Sequence, residues 1–127
     1  MPRILIIDDD QDILDVIKTI FTNSNYDDLY STNARKALDI IRNNDVDLVI
    51  TDILMPEFDG IELIRTLTNE FPDLKILAMS SGGNDKKRFQ DYLVIAKRLG
   101  AHAIISKPIN ISELLETVTK LLEAEAK

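Results

Sequence analysis

The chain has 127 residues, 45% of them hydrophobic, with a net charge of −7, four glycines, four prolines and no cysteine. That length buries one core and is too short to divide comfortably into two, and the composition excludes a disordered or fibrous protein. The acidic balance disfavours direct binding to nucleic acid or anionic lipid, and the missing thiols exclude a disulfide scaffold or a thiolate zinc site.

In chain order, Ile4 to Ile7 is a branched aliphatic run that predicts a buried strand. With Met1-Pro2-Arg3 ahead of it, the run is too brief for a signal peptide or a membrane span, which points to a cytoplasmic protein. Ile13, Leu14, Ile17, Ile20 and Phe21 then fall on one helical stripe. Leu29 to Ser31 reads as a half-exposed edge strand, and Ala34, Ala37, Leu38 and Ile41 mark a second helix. Leu48 to Ile50 is the third strand, and Ile61, Ile64 and Leu67 the third helix. Ile76 to Met79 is the fourth strand, followed by a helix through Tyr92, Leu93, Ala96 and Leu99 that stops at Gly100. His102 reads as a surface residue beyond that stop. Ala103 to Ile105 is the fifth strand. A last helix carries Ile111, Leu114, Leu115, Val118, Leu121 and Leu122, with Asn110 or Ser112 as its cap and the final five residues as its fraying end. Strands alternating with helices predict βαβ units, hence a doubly wound five-stranded parallel sheet with five helices on both faces, in one domain spanning residues 1–127.

Ligands of open parallel sheets bind at the carboxyl ends of the strands. Here those ends carry Asp8, Asp9 and Asp10 after the first strand and Asp52 after the third. Ser80 and Ser81 follow the fourth and Lys107 the fifth, whereas the second offers only Ser31 and Thr32. Like charges about 4 Å apart repel by roughly 4 kcal/mol at an effective dielectric near 20, so converging carboxylates need compensation. Mg²⁺, with its preference for carboxylates, waters and phosphate oxygens, suits that need, and Lys107 adds a second positive charge. A carboxylate, a divalent cation, a lysine and a hydroxyl together make a phosphoryl-transfer site. Asp52 is the nucleophile candidate because it stands alone at its strand end, while Asp8 and Asp9 are placed to hold the metal. Singly, each residue has a plainer explanation: Asp10 as a helix cap, Ser80-Ser81-Gly82-Gly83 as a turn, Lys107 as a surface charge. Their joint placement at neighbouring strand ends favours the site.

Ile4-Leu5-Ile6-Ile7-Asp8-Asp9-Asp10, Asp47-Leu48-Val49-Ile50-Thr51-Asp52-Ile53-Leu54-Met55-Pro56, Asp59-Gly60 and Ser106-Lys107-Pro108 are the signature pieces of a wider pattern. Through them the whole chain resembles the CheY-like receiver domains of two-component response regulators. The resemblance implies strand order 2-1-3-4-5 and phosphorylation of Asp52 by a histidine kinase or histidine phosphotransfer protein. It implies Mg²⁺ held by the Asp9 and Asp52 side chains and the Leu54 carbonyl, with Asp8 acting through water. It also implies phosphoryl contacts from Ser80 and Lys107, a cis bond before Pro108, and a switched surface that binds a downstream protein target. Only self-directed phosphoryl transfer and slow autodephosphorylation are expected, not turnover of a substrate. The chain is then a stand-alone regulator, or the receiver of a longer protein.

This chain departs from the pattern at Ile104, where many receivers carry an aromatic, and at Leu54 and Gly82, which cannot orient an attacking water through their side chains. The Ser80 to Lys107 segment is also longer than usual, which makes it either a longer loop or a shaped partner surface on the fourth helix. A Mg²⁺-dependent phosphatase of the haloacid-dehalogenase type would need an aspartate where Leu54 stands. A phosphorylation-independent binding module would not need the intact acidic pair, Asp52, Ser80 and Lys107.

Overall fold

A computed structural model describes residues 1–53, 60–80 and 86–125. Five strands, β1 (Arg3–Ile7), β2 (Asp27–Ser31), β3 (Leu48–Asp52), β4 (Lys75–Ser80) and β5 (Ala103–Ser106), alternate with α1 (Gln11–Phe21), α2 (Ala34–Asn43), α3 (Gly60–Glu70), α4 (Lys86–Leu99) and α5 (Ile111–Glu125). All pairings are parallel and the sheet order is β2-β1-β3-β4-β5, as the resemblance implied.

Helices cover both faces, so the central strands β1, β3 and β4 are continuous aliphatic runs rather than alternating ones. Their side chains still alternate between two cores. Leu5, Ile7, Val49, Ile76 and Ala78 pack with Ala37 and Ile41 of α2, Leu63, Ile64 and Leu67 of α3, and Ala96 of α4. Ile4, Ile6, Leu48, Ile50, Leu77, Met79 and Ile105 pack with Leu14, Ile17 and Phe21 of α1 and Leu114 and Val118 of α5. β2 lies at an edge and is only half-buried over its first four residues, in keeping with Asp27 and Asp28 at its start. Ile111, placed by its spacing on the buried stripe of α5, is instead 57% exposed at the first helical position. The stripe proper begins at Leu114.

Local capping matches the chain's polar punctuation. Asp10 caps α1 by accepting the Asp12 amide at 2.9 Å, and Asn33 caps α2 through the amides of Arg35 and Lys36. Asn110, rather than Ser112, caps α5 by accepting the Glu113 amide at 2.9 Å. Gly100 follows α4 at φ 114°, a left-handed conformation open to glycine, and a Cβ there would run into the Thr68 side chain. The Thr68 hydroxyl in turn donates to the Leu99 carbonyl at 3.0 Å, tying the end of α4 to α3.

Candidate functional site

Period-two alternation aims three charged side chains at the same side of the sheet. Asp8 continues the Ile4, Ile6 series, Asp52 continues Leu48, Ile50, and Lys107 continues Ile105, all on the α1 and α5 face. Parallel register sets Ile6 beside Ile50 and Ile7 beside Thr51, so the residues that follow, Asp8 and Asp52, leave adjacent strands at the same height. Both are buried, at 0% and 5% exposure, whereas Asp9 is exposed. Carboxylate oxygens of Asp8, Asp9 and Asp52 all lie within 4.8 Å of one another.

Lys107 approaches from two strands away. β4 separates β5 from β3, a span of about 10 Å at the usual strand spacing, which only a long side chain crosses. Its backbone is anchored where the Lys107 amide donates to the Ser80 carbonyl at 2.7 Å, and the Lys107–Pro108 bond is cis, as the resemblance implied. The ammonium then lies 2.6 Å from Asp8 Oδ2 and 3.1 Å from Asp52 Oδ2.

Burial pushes the Asp8 carboxyl up from its ordinary value, and this outweighs the opposing pull of Lys107 and the Asp10 amide; the Asp52 charge pushes the same way. Asp8 Oδ1 accepts the Asp10 amide at 2.9 Å, while the buried Oδ2 has no aligned hydrogen bond and meets Lys107 as an ion pair only. For Lys107, burial acts downward, but the close pairing with Asp8 and the charges of Asp52 and Asp8 prevail and hold its pKa above the ordinary value. Among the described residues, one ammonium thus pairs with two of three clustered carboxylates. A cluster of three carboxylates, two of them buried, is an all-oxygen donor set of the kind that a hard divalent cation prefers.

The scaffold around these groups is tight. Gly60 opens α3 directly against the end of β3: a Cβ there would collide with the Asp52 and Ile53 carbonyl oxygens, which are backbone and cannot swing aside. In the sequence Gly60 stands out only as part of the signature Asp59-Gly60. The signal for its steric role was a glycine heading a helical stripe, where propensity favours almost any other residue. The buried Thr51 hydroxyl donates to the Asp52 carbonyl at 3.0 Å, a contact for which the sequence carries no signal.

The structure therefore brings Asp8, Asp9, Asp52 and Lys107 together, and places Ser80, 1% exposed, at the end of β4 in register with Ser106. Ser80 belongs by alternation to the α4 side, and Ile104 packs partly buried in the core on that side. The Leu54 carbonyl and the Ser81-Gly82-Gly83-Asn84 stretch lie outside the described residues. Asp10 does serve as a cap.

Comparison with known proteins gives this arrangement a family. Residues 4–119 match the response regulator receiver domain. The response regulator SaeR of Staphylococcus aureus is 29% identical over 122 residues, covering 96% of this chain but 51% of SaeR, so the chain spans about half the length of that curated relative. A CheY-like response regulator receiver domain protein from Methanospirillum hungatei superposes with a TM-score of 0.87 at 30% identity, covering 99% of this chain and 97% of the other. NtrX from Brucella abortus also reaches 0.87, at 28% identity over 98% of this chain and 28% of its own length. With 116 consecutive residues matched and these folds superposed, the chain belongs to the response regulator receiver domain family.

Proposed function

We propose that Asp52 is the phosphoacceptor of a two-component receiver and takes its phosphoryl group from the phosphohistidine of a histidine kinase or phosphotransfer protein. The observation that carries this reading is the pairing of one lysine with two buried carboxylates from adjacent strands, at 2.6 and 3.1 Å, with a third carboxylate beside them. In the transfer, an Asp52 carboxylate oxygen forms the new O–P bond as the P–N bond breaks, and the partner's imidazole leaves with the electron pair. Lys107 neutralises charge on the phosphoryl oxygens and the Ser80 hydroxyl donates to one of them. Asp9 and Asp52, with Asp8 through water and the Leu54 carbonyl, would hold Mg²⁺, which when bound supplies further charge neutralisation for the incoming phosphoryl group. Afterwards the dianion draws Ser80 and Lys107 inward and favours one packing of α4 and α5, and the changed face is read by a downstream protein.

We further propose that residues 1–127 act as one receiver unit in the cytoplasm, as a stand-alone regulator or as the receiver part of a longer one. Among the described residues no helix is long and apolar enough to cross a membrane. Intact-mass measurement after incubation with Mg²⁺ and acetyl phosphate tests the phosphoacceptor reading. The parent gains one phosphoryl group and Asp52→Asn gains none; no gain in the parent, under conditions where other receivers react, refutes it.

A further inference from the structure

His102, the one histidine of the chain, sits between Gly100-Ala101 and β5, far along the strand from the acidic cluster. The β4–β5 ladder opens at the pair Leu77 and Ala103, one residue past His102. Ahead of it, the His102 amide donates to the Ile76 carbonyl at 2.8 Å, and the Ile76 amide donates to the His102 ring at Nδ1, 3.1 Å away. Both polar groups of Ile76 are thereby bonded to one residue, half through its backbone and half through its side chain. We propose that His102 is an acid-releasable latch that ties the amino end of the edge strand β5 to β4.

An accepting Nδ1 requires the neutral ring with its proton on Nε2. A proton added at Nδ1 would face the Ile76 amide donor-to-donor, and the bond is lost. Lys75, the first residue of β4, faces the ring with like charge. Among the described residues, the amino ends of the neighbouring strands carry Arg3, Asp27 and Asp47, the approach to β4 carries Asp73, and the last turn of α4 carries Lys97 and Arg98. Partial burial, and then Lys75, hold the imidazole below its ordinary 6.5. The folded state therefore binds the proton less readily than the unfolded chain, so the latch's contribution is complete above about pH 6.5 and is lost as pH falls through the folded value. β5 has four residues and one partner strand, and carries Ser106 with Lys107 just beyond it, so the bond at its start closes the ladder at the end opposite the acidic cluster.

NMR of the full chain tests this directly, since no other histidine titrates. The ring is expected to titrate with a midpoint below 6.5, with the Ile76 amide shift following the same midpoint. The Ile76 exchange protection factor falls about fivefold across the transition, the loss of one ordinary hydrogen bond. In His102→Asn, whose amide oxygen accepts without titrating, protection stays level. An Ile76 amide indifferent to the His102 titration, or the same loss in the Asn variant, overturns the proposal. Should that variant fail to fold, the parent titration alone decides it.

Discussion

Replacing Lys107 with methionine keeps most of the side-chain length and removes its charge, which isolates what the ammonium does for the acidic cluster. At an effective dielectric near 20, its attraction to Asp8 at 2.6 Å is about 6 kcal/mol and to Asp52 at 3.1 Å about 5 kcal/mol. Desolvation of the ammonium and of Asp8 offsets a large part of this, and removing one partner of a buried pair costs about 3 to 5 kcal/mol. Lys107→Met is therefore expected to lose about that much stability at neutral pH in metal-free buffer, read from urea unfolding followed by far-UV circular dichroism. The pH dependence has a definite sign. Burial already holds the Asp8 carboxyl above its ordinary value, and without Lys107 it rises further. A group whose folded pKa is raised binds protons more readily in the folded state, so the variant's deficit is largest at neutral pH and shrinks on acidification. Added Mg²⁺ should stabilise the variant more than the parent, because no ammonium competes for the same oxygens. A deficit below about 1 kcal/mol at neutral pH, or one that grows on acidification, would refute the reasoning.

Gly60→Ala forces a Cβ onto the Asp52 and Ile53 carbonyls, and is expected to cost about 1 to 3 kcal/mol in urea unfolding and to slow phosphorylation by acetyl phosphate; unchanged stability would contradict the close approach. Thr68→Val removes the hydrogen bond to the Leu99 carbonyl and should cost about 1 kcal/mol, with faster amide exchange confined to the end of α4 and the Gly100 turn. Because neither Leu54 nor Gly82 carries a group to orient water, the phosphorylated state should be long-lived; phosphate lost within seconds in Mg²⁺ buffer, followed by intact mass, would contradict this.

The strands were legible because burial on both faces leaves unbroken aliphatic runs such as Ile4 to Ile7 and Leu48 to Ile50. β2 was fainter for the same reason, since an edge strand bearing Asp27 and Asp28 has one side in water. Candidate site residues were legible through chain order alone, as strand ends converge in a parallel sheet. The pairing of Lys107 with both Asp8 and Asp52 was not, because it depends on strand order and on a reach across β4. His102 read as surface, and it is exposed, but its ring nitrogen completes the β4–β5 edge through a partner 26 residues away in sequence. Ile111 matched the apolar spacing yet lies in the first turn of α5, ahead of the part that reaches the core.

The most direct measurement of the central claim is where the phosphoryl group resides. Borohydride reduces an aspartyl phosphate to homoserine, so the phosphorylated chain can be reduced, digested and sequenced by tandem mass spectrometry. Homoserine at position 52 alone is the predicted result; homoserine at Asp8 or Asp9, or a phosphoryl group that is retained yet gives no homoserine at 52, would contradict it.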